Sequence, residues 1–432
     1  MLSVTARRGL VKWSPVSLTR RQRASTIVDM RIGMMADVYK PHISGVTNTI
    51  ALNKHALEQW GHKVFVFTLG DENYEDEELF VVRSPAIPLS DTGFSLGFRY
   101  SRVAQRKLAS MDVVHVHHPF VSGRLAMRYC RPRRIPLVFT NHTRYDLYAQ
   151  AYLPMVPEAL SETFLQAYMP GFCAACDLVI APSTGLLKVL RSFGVRTPIE
   201  VVPNGIDLAP FNAPGSDGTR ADLGLQVSDR LLIYVGRVGP EKNLAFLLRA
   251  FTGAQAAVDN LYLLIVGDGP ELDNLRDQAA RAGISERVRF LGPAPYESIP
   301  GLLATADAFV TASLTEVHPL SLVEAMAAGL PAVGIESPGI EDTILDGENG
   351  FLCRDDLATF TARLVRLMLD DDLRRKLAAG AKASAAQYDI RRTAAVMQGH
   401  YERLFEARQR QIMPFNLRER LLKLLRRESA HT

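Results

Sequence analysis

Cysteine is scarce in these 432 residues: Cys130, Cys173, Cys176 and Cys353 are all there are. So few thiols do not frame a disulfide-stapled secreted domain, and a reducing compartment is their simplest setting. The one C-x-x-C, Cys173 with Cys176, has no second pair and no histidine nearby. Two buried thiols are therefore expected there rather than zinc or redox duty. Long apolar runs are missing too, since no stretch approaches the roughly 20 residues needed to span a bilayer. Work on a lipid would be done from the membrane surface. The first 29 residues carry Arg7, Arg8, Lys12, Arg20, Arg21 and Arg23 against Asp29 and lack the apolar core of a secretion signal. This segment reads as a disordered basic extension.

Two further absences narrow the chemistry. The G-x-G in VGDGPELDNL (266–275) has no third glycine, so a dinucleotide fingerprint, and with it a nicotinamide-dependent dehydrogenase, is disfavoured. The D-x-D in LMLDDDLRRKL (367–377) sits at a helix start with arginines a turn later, where the helix dipole and local ion pairing explain it without a metal.

What is present is a soluble globular composition, 47% hydrophobic and 22% charged, long enough for two domains. From Met30 a short strand (RIGMM), a polar loop ending at Gly45, an amphipathic helix (46–60) and the strand KVFVFT make a βαβ unit. Apolar strands recur at 112–118, 135–142, 177–183 and 199–205, each separated by helix-length sequence. The Pro- and Gly-rich stretch 210–220 reads as a boundary. The rhythm then restarts with strands at 231–236, 261–267, 288–292, 307–313 and 331–335. The expected fold class is α/β: two doubly wound Rossmann-like domains, 30–207 and 208–387, facing a central crevice at their strands' carboxyl ends. A helix over 388–410 and a basic amphipathic tail over 411–432 complete the chain.

The richest motif is TEVHPLSLVEAMAAGLP. Glu316 closes an apolar strand and Glu324 lies a turn into a helix ending at Gly329 and Pro331. A strand's carboxyl end followed by a helix amino terminus suits a nucleotide-sugar, with helix N–H groups for the anion and carboxylates for hydroxyls. Ser321 and Glu324 also have the spacing of a capping box, in which the glutamate returns to its own helix and touches no ligand. In GRVGPEKN (236–243), Arg237 and Lys242 stand on a strand-to-helix loop, as a diphosphate requires. DVVHVHH places His115 and His117 on one side of a strand and His118 on the other, so all three cannot aim at one metal ion. His142 ends the next strand in TNHTRYDLY.

The stretch from Glu316 to Pro331 resembles the E-x7-E signature of retaining glycosyltransferases of family 4, with Glu316, Glu324, the run Glu-Ala-Met-Ala, Gly329 and Pro331 in place. It departs at Pro319, where the family usually has glycine; proline offers no N–H, so amides such as those of Leu320 and Ser321 must serve. The resemblance implies the two-domain GT-B fold, with the 388–410 helix crossing back onto the first domain. It implies that Arg237 and Lys242 bind the diphosphate, with Gly45 letting backbone approach the same phosphates. Glu316 would orient the sugar, Glu324 would hold the ribose, His117 would sit beside the transferring sugar, and His142 would lie on the acceptor side. Members commonly begin as MRIGMMADVYKP does, which makes Met30 a rival start to Met1.

The expected activity is hexosyl transfer, with retention, from a nucleotide diphosphate sugar of the UDP-glucose or GDP-mannose type to a hydroxyl acceptor, with no cofactor and no metal. The opening strand region together with PLVFTNHTRYDLY looks most like bacterial enzymes that glycosylate diacylglycerol or phosphatidylinositol. The tail FNLRERLLKLLRRESAHT, with leucines on one face and five basic residues, agrees with contact to anionic lipid. A soluble or polyprenol-linked glycan acceptor and a non-catalytic sugar-nucleotide binding module are the alternatives. A cytoplasmic enzyme, peripheral on the inner face of the plasma membrane, is expected, with no nucleic-acid partner.

Overall fold

The computed structural model describes residues 29–88, 95–97, 99–147, 158–215 and 220–412. The basic stretch at the start (1–28) and nearly all of the basic tail (413–432) lie outside the described residues.

The first half folds around a sheet of seven strands: β1 (Arg31–Met35), β2 (Lys63–Leu69), β3 (Val81–Ser84), β6 (Val113–Val116), β7 (Leu137–Thr140), β8 (Leu178–Ala181) and β9 (Ile199–Val201). An antiparallel pair of two-residue strands, β4 (Ile87–Pro88) with β5 (Ser95–Leu96), stands apart. The sheet order β3-β2-β1-β6-β7-β8-β9 is parallel throughout. Its central strands are apolar on both faces because helices cover both. Ile32 and Met34 of β1 pack with Ile50 and Leu57 of the first helix (Gly45–Gln59), while Met35 points the other way toward Phe67 and Val116. Ser44 caps that first helix, accepting from the Thr47 amide while the Thr47 hydroxyl accepts from the Ser44 amide.

The second half repeats the plan with β10 (Arg230–Val235), β11 (Leu261–Val266), β12 (Val288–Gly292), β13 (Ala308–Thr311), β14 (Ala332–Ile335) and β15 (Gly350–Cys353), ordered β12-β11-β10-β13-β14-β15 and again parallel. The edge strands β3 and β15 and the antiparallel pair are additions to the strands read from sequence. The D-x-D is structural: Asp370 caps the helix Asp371–Ala385, Asp371 pairs with Arg374 at 2.7 Å and with Arg230 at 2.8 Å, and Asp372 pairs with Arg375.

The last helix (Ile390–Ile412) leaves the second domain beside Ile206, whose amide donates to Tyr388 O while the Ile390 amide donates to Ile206 O. It then lies on the first domain. Met397 and Tyr401 enter the β1–β2 core, the Tyr401 hydroxyl meets His115 Nδ1 at 2.6 Å, and Arg408 reaches the carbonyls of Met111 and Asp112. Burying Met397 and Tyr401 is worth about 1.5–3 kcal/mol each. Between the domains, the Thr184 hydroxyl donates to Asp342 Oδ1 at 2.5 Å and Val317 joins the first domain's core.

Histidines are part of this packing. His318 is buried edge-on against Tyr388, with ring centroids 5.0 Å apart, and neither of its nitrogens has a hydrogen-bond partner. Burial pushes its pKa down to about 4. The unfolded chain, with imidazoles near 6.5, takes up a proton that the fold refuses as pH falls below 6.5, so stability is at its full value above 6.5 and declines toward 4. His318→Phe keeps the ring and removes both orphan nitrogens. Its melting temperature is expected to exceed the parent's, with the stabilisation about 2 kcal/mol larger at pH 5 than at pH 8. Equal gains at the two pH values would refute this linkage.

Candidate functional site

The carboxyl ends of β10 and β13 build the centre of the crevice. After β10 the chain turns through Gly236, and the Tyr234 hydroxyl donates to Arg237 O at 2.8 Å, fixing the backbone that carries the exposed Arg237 side chain. A short turn (Pro240–Lys242) and Asn243 at φ +53° lead into the helix Leu244–Gln255. Asn243 Nδ2 donates to Ala312 O and the Ser313 hydroxyl to Glu241 O, sewing this loop to the end of β13. The seam sets Lys242 Nζ 2.7 Å from Glu316 Oε1, with both side chains largely buried.

The G-x-G loop after β11 serves the same seam. A Cβ on Gly267 would lie 1.9 Å from Gly236 O, and one on Gly269 would lie 2.3 Å from Val238 O. The two loops therefore interlock through backbone, with the Val238 amide donating to Asp268 O at 2.8 Å. These glycines are explained by loop-to-loop approach.

The helix carrying the second glutamate spans Leu320–Ala327, and Pro319 occupies its N-cap position with no side-chain cap. The first-turn amides of Leu320 and Ser321 thus belong to an uncapped helix start beside Glu316, a place suited to an anion. The capping-box alternative fails. Ser321 is the second helical residue rather than the cap, and the Glu324 carboxylate instead accepts from the Tyr296 hydroxyl at 3.0 Å. Glu324 is 4% exposed, and burial raises its pKa to about 7.

From the first domain, the loop after β1 brings His42 near Arg237: burial and then the guanidinium charge lower the His42 pKa. Gly45 opens the first helix, and a Cβ there would meet nothing within 4 Å, so the space above it is clear. The β6 histidines divide as the strand's alternation requires. His115 is held between Tyr401 and Thr140 and is pushed down to about 3 by burial. His117 Nδ1 faces His142 Nε2 at 2.9 Å, and its buried Nε2 has no partner. On the other side, His118 Nδ1 accepts from the Asp37 amide. Burial, followed by neighbouring imidazoles, holds His117 and His142 well below the usual histidine range, so both are neutral. His142 is therefore a direct neighbour of His117. A cavity of about 20 Å³, enough for one water, lies among His115, His117, His142 and Asn53.

Sequence reasoning missed Tyr296, Tyr401 and His318; Tyr296 and Tyr401 lie in no spaced motif, and His318 lies between Glu316 and Glu324 at a position their spacing does not single out. All four cysteines are buried, and burial pushes the Cys173 thiol up to about 12 and Cys353 up to about 11. Among the described residues, no group of three His, Cys, Asp or Glu side chains is placed to hold a metal, and no helix is long and apolar enough to cross a membrane.

Residues 216–384 match the family model for glycosyl transferases group 1, and residues 43–210 match that for glycosyltransferase family 4. The chain is 30% identical over 334 residues to alpha-monoglucosyldiacylglycerol synthase of Streptococcus pneumoniae, covering 75% of each. It is 28% identical to phosphatidyl-myo-inositol mannosyltransferase of Mycolicibacterium smegmatis, over 83% of this chain and 90% of the relative. In structure it superposes on the Anabaena protein HepE solved with UDP and glucose, with TM-score 0.68 and 20% identity over 86% of this chain and 99% of that one. Sucrose-phosphate synthase of Thermosynechococcus elongatus gives TM-score 0.72 and 21% identity, over 88% and 100%. At such identities these structures speak for the fold alone, which is the GT-B arrangement of two facing parallel-sheet domains. Two family matches that between them span most of both domains, together with a 30% identical relative, establish that the chain belongs to glycosyltransferase family 4.

Proposed function

We propose that this glycosyltransferase moves a hexose from a nucleotide diphosphate sugar to the hydroxyl of a membrane lipid such as diacylglycerol, with retention at the anomeric carbon and without a bound metal. The observation that carries the reading is the Lys242–Glu316 pair at 2.7 Å beside Arg237 and an uncapped helix start. Arg237, Lys242 and the amides of Leu320 and Ser321 supply positive charge and N–H donors for a diphosphate, with Gly45 leaving room from the opposite domain. Glu316 orients the sugar, Glu324 grips the ribose hydroxyls, and neutral His117 offers Nε2 to the transferring sugar. His142, through its contact with His117 Nδ1, orients that imidazole from the acceptor side.

The chemistry follows from which groups are already engaged. Glu316 is ion-paired and Glu324 is buried against a phenol, so neither carboxylate is free to attack the anomeric carbon. In the proposed step, the bond from that carbon to the phosphate oxygen breaks and the acceptor oxygen bonds on the same face. The acceptor's proton passes to the departing phosphate. The two cations stabilise the charge that grows on that phosphate.

The acceptor class rests on the lipid-acting names of the relatives and on the first domain's apolar surface. Ile43, in the loop before the first helix, is 67% exposed, and Leu79 is 76% exposed. Leu79 and Phe80 rim a cavity of about 680 Å³ that also meets Lys40, Leu52 and Tyr296. Apolar side chains held in water suit contact with a membrane surface.

Purified protein offered UDP-glucose, UDP-galactose and GDP-mannose in turn, with and without diacylglycerol or phosphatidylinositol vesicles, is expected to form a glycolipid from one donor, undiminished by EDTA. Donor hydrolysis without lipid product would turn the assignment to a soluble or polyprenol-linked glycan acceptor, and loss of activity in EDTA would overturn metal independence. Arg237→Ala is expected to lower kcat about 10²–10³-fold by removing one charge from the leaving group. Glu316→Ala should abolish transfer while leaving the fold intact, with a lowered melting temperature because Lys242 loses its carboxylate. An unaltered rate in either variant would contradict the assigned roles.

A further inference from the structure

Tyr296 follows β12, in a short turn (Tyr296–Ser298) 28 residues from its partner, and no sequence motif marks it. Its hydroxyl donates to Glu324 Oε1 at 3.0 Å, which is the geometry a ribose hydroxyl would need at the same carboxylate. The contact is well defended. Glu324 is nearly out of water, so removing its donor without replacement leaves a buried carboxylate short of a hydrogen bond. The other side of the ring is open: Tyr296 is half-buried and forms one wall of the cavity of about 680 Å³ that Lys40, Asn48, Leu52 and Phe80 line from the first domain. A tyrosine displaced from Glu324 therefore has a place to go without disturbing the core.

We propose that Tyr296 is a specificity-determining residue that holds Glu324 as a hydroxyl surrogate in the empty enzyme and exchanges with a ribose hydroxyl when the nucleotide binds, turning into the cavity against the first domain. The inference rests on the reading of Glu324 as the ribose carboxylate. Two consequences follow from the exchange. A nucleotide lacking ribose hydroxyls has nothing to exchange and leaves the phenol–carboxylate bond in place, so Tyr296 narrows the difference between ribo- and dideoxynucleotides that Glu324 without its phenol would impose. A displaced Tyr296 also adds an aromatic surface facing Asn48 and Leu52 of the first helix, so nucleotide occupancy in one domain changes the wall of a cavity in the other.

The test is calorimetric titration of the full-length protein with UDP and GDP and with their 2′,3′-dideoxy counterparts, for wild type, Tyr296→Phe and the double variant that adds Glu324→Gln to it. Tyr296→Phe is expected to bind the better ribonucleotide about three- to tenfold more tightly than wild type, the worth of one net hydrogen bond no longer surrendered. It should show no gain for the dideoxy form. Weaker or unchanged ribonucleotide binding by Tyr296→Phe, or an equal gain for both nucleotides, would overturn the exchange. Glu324→Gln in the Tyr296→Phe background, where no phenol bond is surrendered, separates the two readings: ribonucleotide affinity indifferent to this change would sink the ribose assignment itself. A loss that narrows the ribo-to-dideoxy difference would uphold the assignment and leave Tyr296→Phe to decide the exchange.

Discussion

An ammonium and a carboxylate 2.7 Å apart, Lys242 and Glu316, join the two strand-end loops on which the site depends. Neither could be placed by its own loop alone. Lys242 is positioned by a turn that Asn243 and Glu241 tie to the end of β13, and Glu316 by the chain leaving that same strand, its carbonyl accepting from the Gly339 amide. The pair is partly buried, so each charge depends on the other until a substrate with its own charges and hydroxyls replaces the contact. Charge held ready in a low-dielectric crevice, rather than a nucleophile, is what this arrangement can offer to sugar transfer.

The first domain contributes by exclusion and shape. His117 and His142 are neutral because burial forbids the charge, and a neutral His117 could meet a sugar hydroxyl without competing with Arg237 and Lys242 for an anion. The last helix matters to this site from a distance, since Tyr401 holds His115, which lies 4.2 Å ring to ring from His117. A helix that begins in the second domain thus braces a site residue of the first, coupling how the domains sit to how His117 is aimed.

Much of this was legible in the sequence, for physical reasons. Buried parallel strands must be apolar on both faces, so the inner strands of both sheets stand out as short apolar runs. β3 and β15 escaped notice because each is a four-residue edge strand; β3 alternates half-buried with buried positions, and β15, though mostly buried, opens on a glycine and offers only three apolar residues. Arg237, Lys242, Glu316 and Glu324 stood out because the residue types and spacing that anion and hydroxyl recognition would need are restricted, and of these the structure brings Lys242 and Glu316 into contact. The competing capping box could be judged only with the helix start in hand. Proline at position 319 takes the cap, which places Ser321 and Glu324 two residues out of the register that a box needs. The Tyr296–Glu324 and His115–Tyr401 contacts were invisible, because they join positions 28 and 286 residues apart that no periodicity relates.

Lys242 and Glu316 are proposed to act as one unit in transfer. A double-mutant cycle on kcat/KM with Lys242→Met, Glu316→Gln and the double variant tests it most directly. Strongly non-additive losses are expected, with the double variant no more than about tenfold worse than the poorer single one. Losses that multiply, so that the two free-energy costs simply add, would contradict the proposal.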